Sequence, residues 1–429
     1  MPTSFSGGIP FPHAVENKAL TSSLPVENFT PARLVLPLRQ GWGAACLPVV
    51  DIGQKVRKGQ LIGRPSPEGG VPVHCGVSGT VRAIGPVKTA GGDEVLAVTV
   101  DNDTLNTPEP PLHVEDTPEG LRALMQEAGL IGMGGAGFPT AMKYATNRPI
   151  HHVLINGCEC EPYLTCDHRL MVQEAAKVVK GAAAFGKAAG AAACICVEEN
   201  KPDAIAALEL AARGTEVRIL SLPARYPQGG ERQLIQAVTG QEVPENGLPA
   251  DVGVLVSNVG TAAALADAMD GKPLTHRIVT VSGRVNRPAN LRVPIGTLLT
   301  DLLDRCGGTL DGPEPLFVAG GPMTGVLLQS LDVPVLKTTG GLLAIDRPAP
   351  EERACIRCGA CARVCPSRLM PYVIDRAVIG GQPEICADYN AQQCIACGCC
   401  SFVCPAKRFL AARVSLVRAA ARRIKQKQG

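Results

Sequence analysis

Between residues 31 and 100 the apolar positions come in short β-type runs punctuated by glycine: Ala45 to Val50, the stretch from Asp51 to Gly63, and Val77 to Val81. Short strands at regular intervals with turn residues between them predict a small all-β unit over 31–112. From residue 117 the period becomes helical. Thr117 and Pro118 form an N-cap and N1 pair, Leu121, Leu124, Met125 and Ala128 recur at helical spacing, and Gly129 can end the helix. Apolar runs at His152 to Ile155, Ala193 to Val197, Glu216 to Leu220 and Gly253 to Val256 then alternate with Ala-rich helical stretches. That alternation predicts an α/β domain over 113–270. Residues 271–346 change style again: Arg277 to Val285 reads as a hairpin, Thr297 to Arg305 as a short helix and Leu316 to Gly321 as a return strand, a β-grasp-like α+β unit. The Pro-rich, charged stretch Asp346 to Arg353 reads as a linker.

Composition narrows the class. A chain of 429 residues predicts about three domains, and 45% hydrophobic with 19% charged residues is enough to bury cores. With only 3% aromatics, a base-stacking surface for single-stranded nucleic acid is not expected. The most Ala-rich run, Gly181 to Val197, is interrupted by Lys187, so no spanning helix is predicted. Met1 to Phe11 carry neither a basic n-region nor an apolar h-region, so nothing marks secretion. Residues 406–429 hold eight Lys and Arg and no acid; removing them from a net charge of +3 leaves a body five charges negative. In this tail Leu410, Val414, Val417 and Ala421 repeat at helical spacing among arginines. It reads either as a basic amphipathic helix docked on anionic lipid or a membrane partner, which we favour, or as a solvated terminal helix.

Eighteen cysteines without a secretion signal point to metal ligands or redox groups, and ten of them fall between Cys355 and Cys404. Cys355, Cys358, Cys361 and Cys365-Pro366 fit C-x2-C-x2-C-x3-C-P, as do Cys394, Cys397, Cys400 and Cys404-Pro405. This repeated run is that of two-cluster ferredoxins, in which the fourth cysteine of each run ligates the other cluster. One [4Fe–4S] cluster is therefore expected on Cys355, Cys358, Cys361 and Cys404, the other on Cys394, Cys397, Cys400 and Cys365, in a module over 347–405. Structural zinc also takes four cysteines but needs neither the third cysteine at this spacing nor the Cys-Pro ending. Cys386 and Cys399 fall outside the pattern and read as spectators.

Gly132, Gly134 and Gly137, with Gly135 between, make a G-x-G-x-x-G match preceded by a helix instead of the strand a Rossmann fingerprint needs. The loop feeds a helix begun by Pro139, where a phosphate or flavin could lie on backbone N–H groups; a plain Gly-rich turn is the alternative. The run from Gly132 to Tyr144, followed by Ile155 to Pro162 and Asp167, resembles the FMN-binding flavoprotein subunit of respiratory complex I. It resembles more closely the RnfC family, the NADH, FMN and iron–sulfur subunits of the Rnf ion-translocating ferredoxin:NAD⁺ oxidoreductase. The resemblance implies FMN in the glycine loop, with Asn156, Glu159 and Glu161 as flavin contacts and Asn258 and Thr261 in a phosphate-binding turn. Against the complex I subunit, Gly230 and Ser257 replace the first acid of a glutamate pair and the first asparagine of that turn.

The order of parts extends the likeness. Phe5 to Pro10, with Lys18 and Thr21, resembles the family's opening segment, here 1–30. The strand phrases of 31–112 resemble a barrel-sandwich hybrid, with Ser78-Gly79 where a biotinyl or lipoyl carrier has its lysine, and 271–346 resembles an SLBB domain. The long Ala/Lys-rich extension that many members carry after the clusters has no counterpart in this sequence, so its role does not transfer. The fold expected is thus multidomain α/β and α+β: barrel-sandwich hybrid, complex I flavoprotein-like α/β domain, β-grasp SLBB domain and a two-cluster ferredoxin-like α-helical module, then a basic helix over 406–429.

One flavin and two clusters convert a two-electron donor to one-electron carriers. The resemblance implies a peripheral NADH-oxidising or NAD⁺-reducing subunit on the cytoplasmic face of the membrane, with membrane subunits of the complex and ferredoxin as partners. We place Phe138 and Glu231 at the nicotinamide and Lys143 near the flavin; Phe138 as core and Lys143 as a solvated helix residue are the bland alternatives. Cys158, Cys160 and Cys166 read as ordinary loop residues before a third metal site. A PduS-like cobalamin reductase, which shares the flavin loop, SLBB unit and clusters, and a flavin-less electron relay are the rival functions.

Overall fold

The computed structural model describes residues 4–347 and 351–428; residues 348–350 of the expected linker lie outside them. The β unit is built from a four-stranded sheet, in order Arg33–Pro37, Glu94–Asn102, Gly79–Lys88 and Lys55–Val56, and a three-stranded sheet of Leu47–Pro48, Leu61–Arg64 and Val73–His74. Leu34, Leu36, Val81 and Val98 of the first sheet share a buried core with Ile62 and Val73 of the second. Ser78 is buried and its hydroxyl donates to Asp103 (2.6 Å), so the turn that would carry a carrier's lysine is a structural corner.

The helix predicted after Thr117 spans Pro118–Glu127, with the Thr117 hydroxyl accepting from the Gly120 N–H (3.0 Å) and Gly129 at φ +70° beyond its end. The sheet that follows is parallel, in order Arg218–Leu222, Ala193–Glu198, His152–Gly157, Val254–Asn258. Helices Ala175–Ala189 and Val259–Met269 pack closely because their contact faces are small: a methyl group at Gly181 would overlap the Ala262 carbonyl. The chain adds strands in one direction from His152–Gly157 and then returns to its other side with Val254–Asn258. In open α/β sheets that switch point leaves a crevice at the carboxyl ends of the strands, where ligands bind. Asn156 and Asn258 lie side by side there in register.

The β-grasp unit is a six-stranded mixed sheet holding the hairpin His276–Gly283/Ala289–Pro294, with helix Leu299–Arg305 and return strand Leu316–Ala319. It differs from the expected boundary at one edge. Val26–Asn28, from the supposed N-terminal extension, pairs in parallel with Ala289–Pro294. The preceding segment is anchored by buried polar groups: the Thr21 and Thr165 hydroxyls meet at 2.7 Å, and Asn290 donates its amide N–H to the Thr21 carbonyl (3.1 Å). Buried Lys337 donates to the Pro72 and Gly129 carbonyls (2.7 and 2.8 Å), tying β-grasp, barrel and α/β units, and burial pulls its ammonium down to about 7.

In the cysteine module short helices, Ala360–Arg363, Pro371–Ile379, Pro383–Asp388 and Cys399–Phe402, surround the cysteine loops. The basic tail corrects our favoured reading of a docking helix. Leu410–Gln428 is a helix whose apolar stripe is already covered: Val414 and Ala421 are buried against Ile374, Ala387 and Ala391 of this module. Arg413 donates to Glu352 and to buried Asp375 (2.9 Å). The stripe stabilises the cluster module and leaves mainly its charged side to solvent. Among the described residues no helix is long and apolar enough to cross a membrane.

Candidate functional site

The two cysteine runs are backbone copies of each other. Arg357 and Ala396, each two residues past the first cysteine, sit at φ +56° and +55°; Gly359 and Gly398 follow at +72° and +79°; Arg368 and Lys407 at +54° and +53°. Left-handed residues at matching positions curl the chain so that N–H groups face sulfur: Arg357 N–H donates to Cys355 Sγ and Ala396 N–H to Cys394 Sγ (both 3.4 Å). Two small cavities result. One is bounded by Cys355, Cys358, Cys361 and Cys404. The other is bounded by Cys394, Cys397, Cys400 and Cys365, with Cys399 also on its wall. Four thiols around each void, with backbone donors turned toward sulfur, fit the cubane clusters the spacing implied. Cys355 and Cys358 are exposed, whereas Cys365 and Cys400 are buried.

A cavity of about 640 Å³ opens at the switch point of the parallel sheet, within the usual range for cofactor sites. Its lining includes Gly134, Gly135, Asn156, Glu159, Glu161, Glu231 and Asn258 from the predicted set. A side chain at Gly135, φ +107°, would meet nothing within 4 Å, so the loop presents bare backbone to the cavity. A flat cofactor that needs backbone N–H groups and close approach fits this wall.

Most of the predicted polar contacts are already engaged and shape the wall. Asn156 donates to the Gly229 carbonyl (2.8 Å) and accepts from the Cys158 N–H (3.0 Å). The Glu159 carboxylate accepts from the N–H groups of Asp167 and His168 (2.9 and 3.2 Å) and from the Cys166 thiol, capping helix Cys166–Gln173. Glu161 accepts from the Met323 N–H (3.0 Å) and the Thr324 hydroxyl, fastening this wall to the β-grasp unit. Burial pushes its carboxyl upward. Asn258 caps the next helix through the Gly260 N–H (2.7 Å) and donates to Asp167 (2.6 Å).

Other predicted residues stand behind the wall. Gly132 closes the glycine loop through its N–H to the Phe138 carbonyl (2.8 Å), and Gly137 packs against Gly41. Thr261 is buried, accepting from the Met133 N–H (3.0 Å) and donating to the Ile131 carbonyl (3.1 Å), so it braces the loop. Lys143 donates to Glu231 (2.9 Å) and to the Val256 carbonyl (2.8 Å), which sets the Glu231 carboxylate at the rim. Phe138 does not line the cavity. Its ring lies on Trp42 of the barrel, 5.2 Å between centroids, because the glycine loop is packed onto that module.

Two contributors, Lys18 and Arg277, have no signal in local spacing. Lys18 enters the sequence reading only through a resemblance; its ammonium donates to the carbonyls of Glu159 and Glu161 (both 2.8 Å) and Leu164 (2.6 Å), holding the loop beneath the cavity. Arg277, buried in the β-grasp sheet, donates to the Thr339 and Lys337 carbonyls and lines the cavity. Nearby Asp167 is pushed up to about 6 by burial and by the neighbouring Glu159. Tyr226 lines the cavity and donates its hydroxyl to the Cys397 carbonyl (2.7 Å). Arg277 reaches the cavity from a distant part of the chain, whereas Tyr226 opens the loop that ends in Glu231.

Ligand atoms of Glu159, Cys166 and Asp167 lie within 4.8 Å of one another. Capping of helix Cys166–Gln173 by the Glu159 carboxylate accounts for that cluster without an ion. A larger cleft, about 1020 Å³, lies between Arg232, Pro244 and the tail residues Arg418 and Arg422, but has no glycine loop. Size alone does not choose the cofactor site.

Family models match three parts of the chain. A family model of the RnfC barrel-sandwich hybrid domain matches residues 3–105, one of the Nuo51 FMN-binding domain 125–267, and one of the SLBB domain 278–327. A subunit of the Na(+)-translocating ferredoxin:NAD(+) oxidoreductase complex of Acetobacterium woodii is 41% identical, covering 98% of this chain and 97% of that one. The chain belongs to the RnfC family. Another RnfC relative, from the proton-translocating ferredoxin:NAD(+) oxidoreductase complex of Clostridium ljungdahlii, is 38% identical over 86% of this chain and 83% of its own. Among solved structures, an NAD⁺-reducing [NiFe]-hydrogenase in the H₂-reduced state superposes with a TM-score of 0.51 at 20% identity. That match covers 71% of this chain and 61% of the other, and shows that an RnfC chain shares its fold.

Proposed function

We propose that this chain is the nicotinamide-handling subunit of an Rnf-type complex. It oxidises NADH, or reduces NAD⁺, and exchanges electrons with membrane subunits and, through them, with ferredoxin, coupled to ion translocation. It would sit peripherally on the cytoplasmic face of the membrane. One observation carries the reading: the wall of the cavity at the switch point includes Ile395 and Cys397, so the flavin-type cavity and one cysteine-lined void share a partition.

FMN, when bound, supplies the change between a two-electron hydride donor and one-electron carriers. Gly134 and Gly135 would take it on bare backbone, with Asn258 and Arg277 as polar groups at the wall. Lys143 holds Glu231 at the rim, where that carboxylate can meet an incoming nicotinamide. Cys394, Cys397, Cys400 and Cys365 would hold the cluster beside the cavity. Cys355, Cys358, Cys361 and Cys404 would hold the one nearer the surface. The protein's own contribution is orientation and exclusion of water around the flavin, since hydride transfer needs no side-chain acid or base.

The preserved glycine loop and its cavity favour this over a flavin-less relay, and the matched RnfC barrel module favours it over a cobalamin reductase. The test is an anaerobic NADH titration of the purified chain after assay of iron, sulfide and flavin. About eight irons are expected from two cubanes, with one releasable FMN and bleaching of flavin and then cluster absorbance. Full iron with no flavin and no response to NADH would leave only a relay.

A further inference from the structure

Phe5 to Phe11 precede the barrel and run into the seam between the α/β domain and the cysteine module, bonding to both. Ile9 exchanges two backbone hydrogen bonds with Tyr226: the Ile9 N–H donates to the Tyr226 carbonyl (2.7 Å), and the Tyr226 N–H donates back to the Ile9 carbonyl (2.8 Å). On the other side the Gly8 N–H donates to the Val364 carbonyl (2.9 Å). Tyr226 lines the cavity at the switch point and holds the Cys397 carbonyl through its hydroxyl. Val364 immediately precedes Cys365, which bounds the void beside that cavity. Side chains close the same seam. Ile9 and Tyr226 share a buried cluster with Cys399, and the Phe11 ring lies 5.4 Å from that of Tyr226 and edge-on to Phe402 at 5.0 Å.

Two glycines set how closely the segment lies. A methyl group at Gly7, φ +73°, would stand 2.7 Å from both atoms of the Cys365 carbonyl, and one at Gly8, φ +82°, would stand 2.7 Å from the Tyr226 carbonyl oxygen. These neighbours are backbone, so a side chain at either position has to open the seam, the first on the cysteine side and the second on the cavity side. Outside the seam the module also reaches the α/β domain through Arg368 and Glu242, an exposed ion pair of a kind worth little.

We propose that Phe5–Phe11 is a strap that fixes the spacing between the flavin-type cavity and the void bounded by Cys394, Cys397, Cys400 and Cys365. Gly7, Gly8 and Ile9 are then positioning residues for electron transfer across the partition at Ile395 and Cys397. This rests on the reading of the two spaces as flavin and cluster sites. The strap grips both faces of the gap at once, Tyr226 on the cavity side and Val364 and Cys365 on the other, and a misplacement of about 1 Å is enough to cost a positioned reaction about a hundredfold.

The test compares the wild-type holoprotein with Gly7→Ala and Gly8→Ala. Under NADH in stopped flow, flavin should bleach at the wild-type rate while cluster bleaching slows by about one to two orders of magnitude. Iron and flavin contents should be unchanged, and dithionite, which reaches the clusters without the flavin, should reduce them at the wild-type rate. A second readout needs no turnover. In flavin-depleted protein, hydrogen–deuterium exchange should rise in peptides covering 5–11, 224–228 and 360–366 and stay unchanged in the barrel strand Glu94–Asn102. Cluster bleaching by NADH at the wild-type rate in both variants overturns the strap, whether or not exchange rises. Equal slowing with NADH and with dithionite overturns it too, because the fault then lies in the cluster itself. If Gly7→Ala sheds iron, Gly8→Ala decides, since its methyl meets Tyr226 and not a cysteine; iron or flavin lost from both overturns the proposal, because that marks a segment needed for cofactor retention. Wild-type protein that takes up no flavin, or that NADH cannot reduce, overturns the function proposed above and the strap with it.

Discussion

Replacing Lys18 by Met should cost the chain its flavin before it costs the fold. The Lys18 ammonium donates three hydrogen bonds, to the Glu159, Glu161 and Leu164 carbonyls, and makes the turn beneath the cavity converge on one point. Hydrogen bonds to a charged group are each worth about 1.5–3 kcal/mol net. Against them stands the desolvation of the ammonium, which pulls the Lys18 pKa below its usual value and costs several kcal/mol. Met keeps the stem, leaves three inward carbonyls without their donor and removes the desolvation cost, so the net loss is on the order of 3 kcal/mol. The loss is local, because the clusters and barrel core make no use of this lysine. If flavin binding has to rebuild the loop, a loss of about 3 kcal/mol weakens FMN affinity by about two orders of magnitude. Reconstitution of flavin-depleted protein, followed by fluorescence quenching of free FMN, reads this directly. Iron content measured in parallel should stay at the wild-type value, and Lys18→Arg should fall between the two. FMN affinity within about threefold of wild type in Lys18→Met would show that the loop holds its shape without the ammonium.

Cys404→Ser should remove the cluster of the other cysteine run, leaving about four irons; electron paramagnetic resonance should keep the signal of the Cys394 site and lose that of the Cys355 site. The converse pattern would refute the crossed ligand sets. Cys399→Ala, by contrast, should retain both clusters in iron and sulfide assays, since its thiol is a fifth sulfur at a void already bounded by four. The pH dependence of stability should carry the mark of Asp167. Its folded pKa is raised to about 6 from an ordinary value of 3.8, so the native state holds the proton that the unfolded chain releases. Stability should fall as pH rises from about 4 to about 6 and level beyond, by on the order of 2–3 kcal/mol. Asp167→Asn should flatten that slope in urea unfolding followed at several pH values, and an unaltered slope would exclude Asp167 as its source.

Cysteine spacing, the glycine loop and the alternation of apolar runs are legible in the sequence because each is local. Ligands a few residues apart on one curled loop, or apolar positions one helical turn apart, leave a pattern that needs no knowledge of the rest of the chain. The same locality misleads at the tail. The stripe of Leu410, Val414 and Ala421 is real, but a stripe does not say what covers it, and helices of the cluster module do. It misleads again at Phe138, whose place in the motif suggests the nicotinamide while its ring lies on Trp42.

The long-range assembly of the site belongs to tertiary structure alone. Lys18 comes from a segment before the α/β domain, Arg277 from the β-grasp sheet and Ile395 from the second cysteine loop, yet all three meet around one cavity or the loop beneath it. Their meeting depends on buried polar ties such as Lys337 between three units and Thr21 against Thr165 and Asn290. A donor and acceptor far apart along the chain share no periodicity. Sequence by itself determined which chemistry the chain can hold. Packing between domains decided which cysteine void lies against the cavity, because that adjacency is stabilised by contacts no single segment contains.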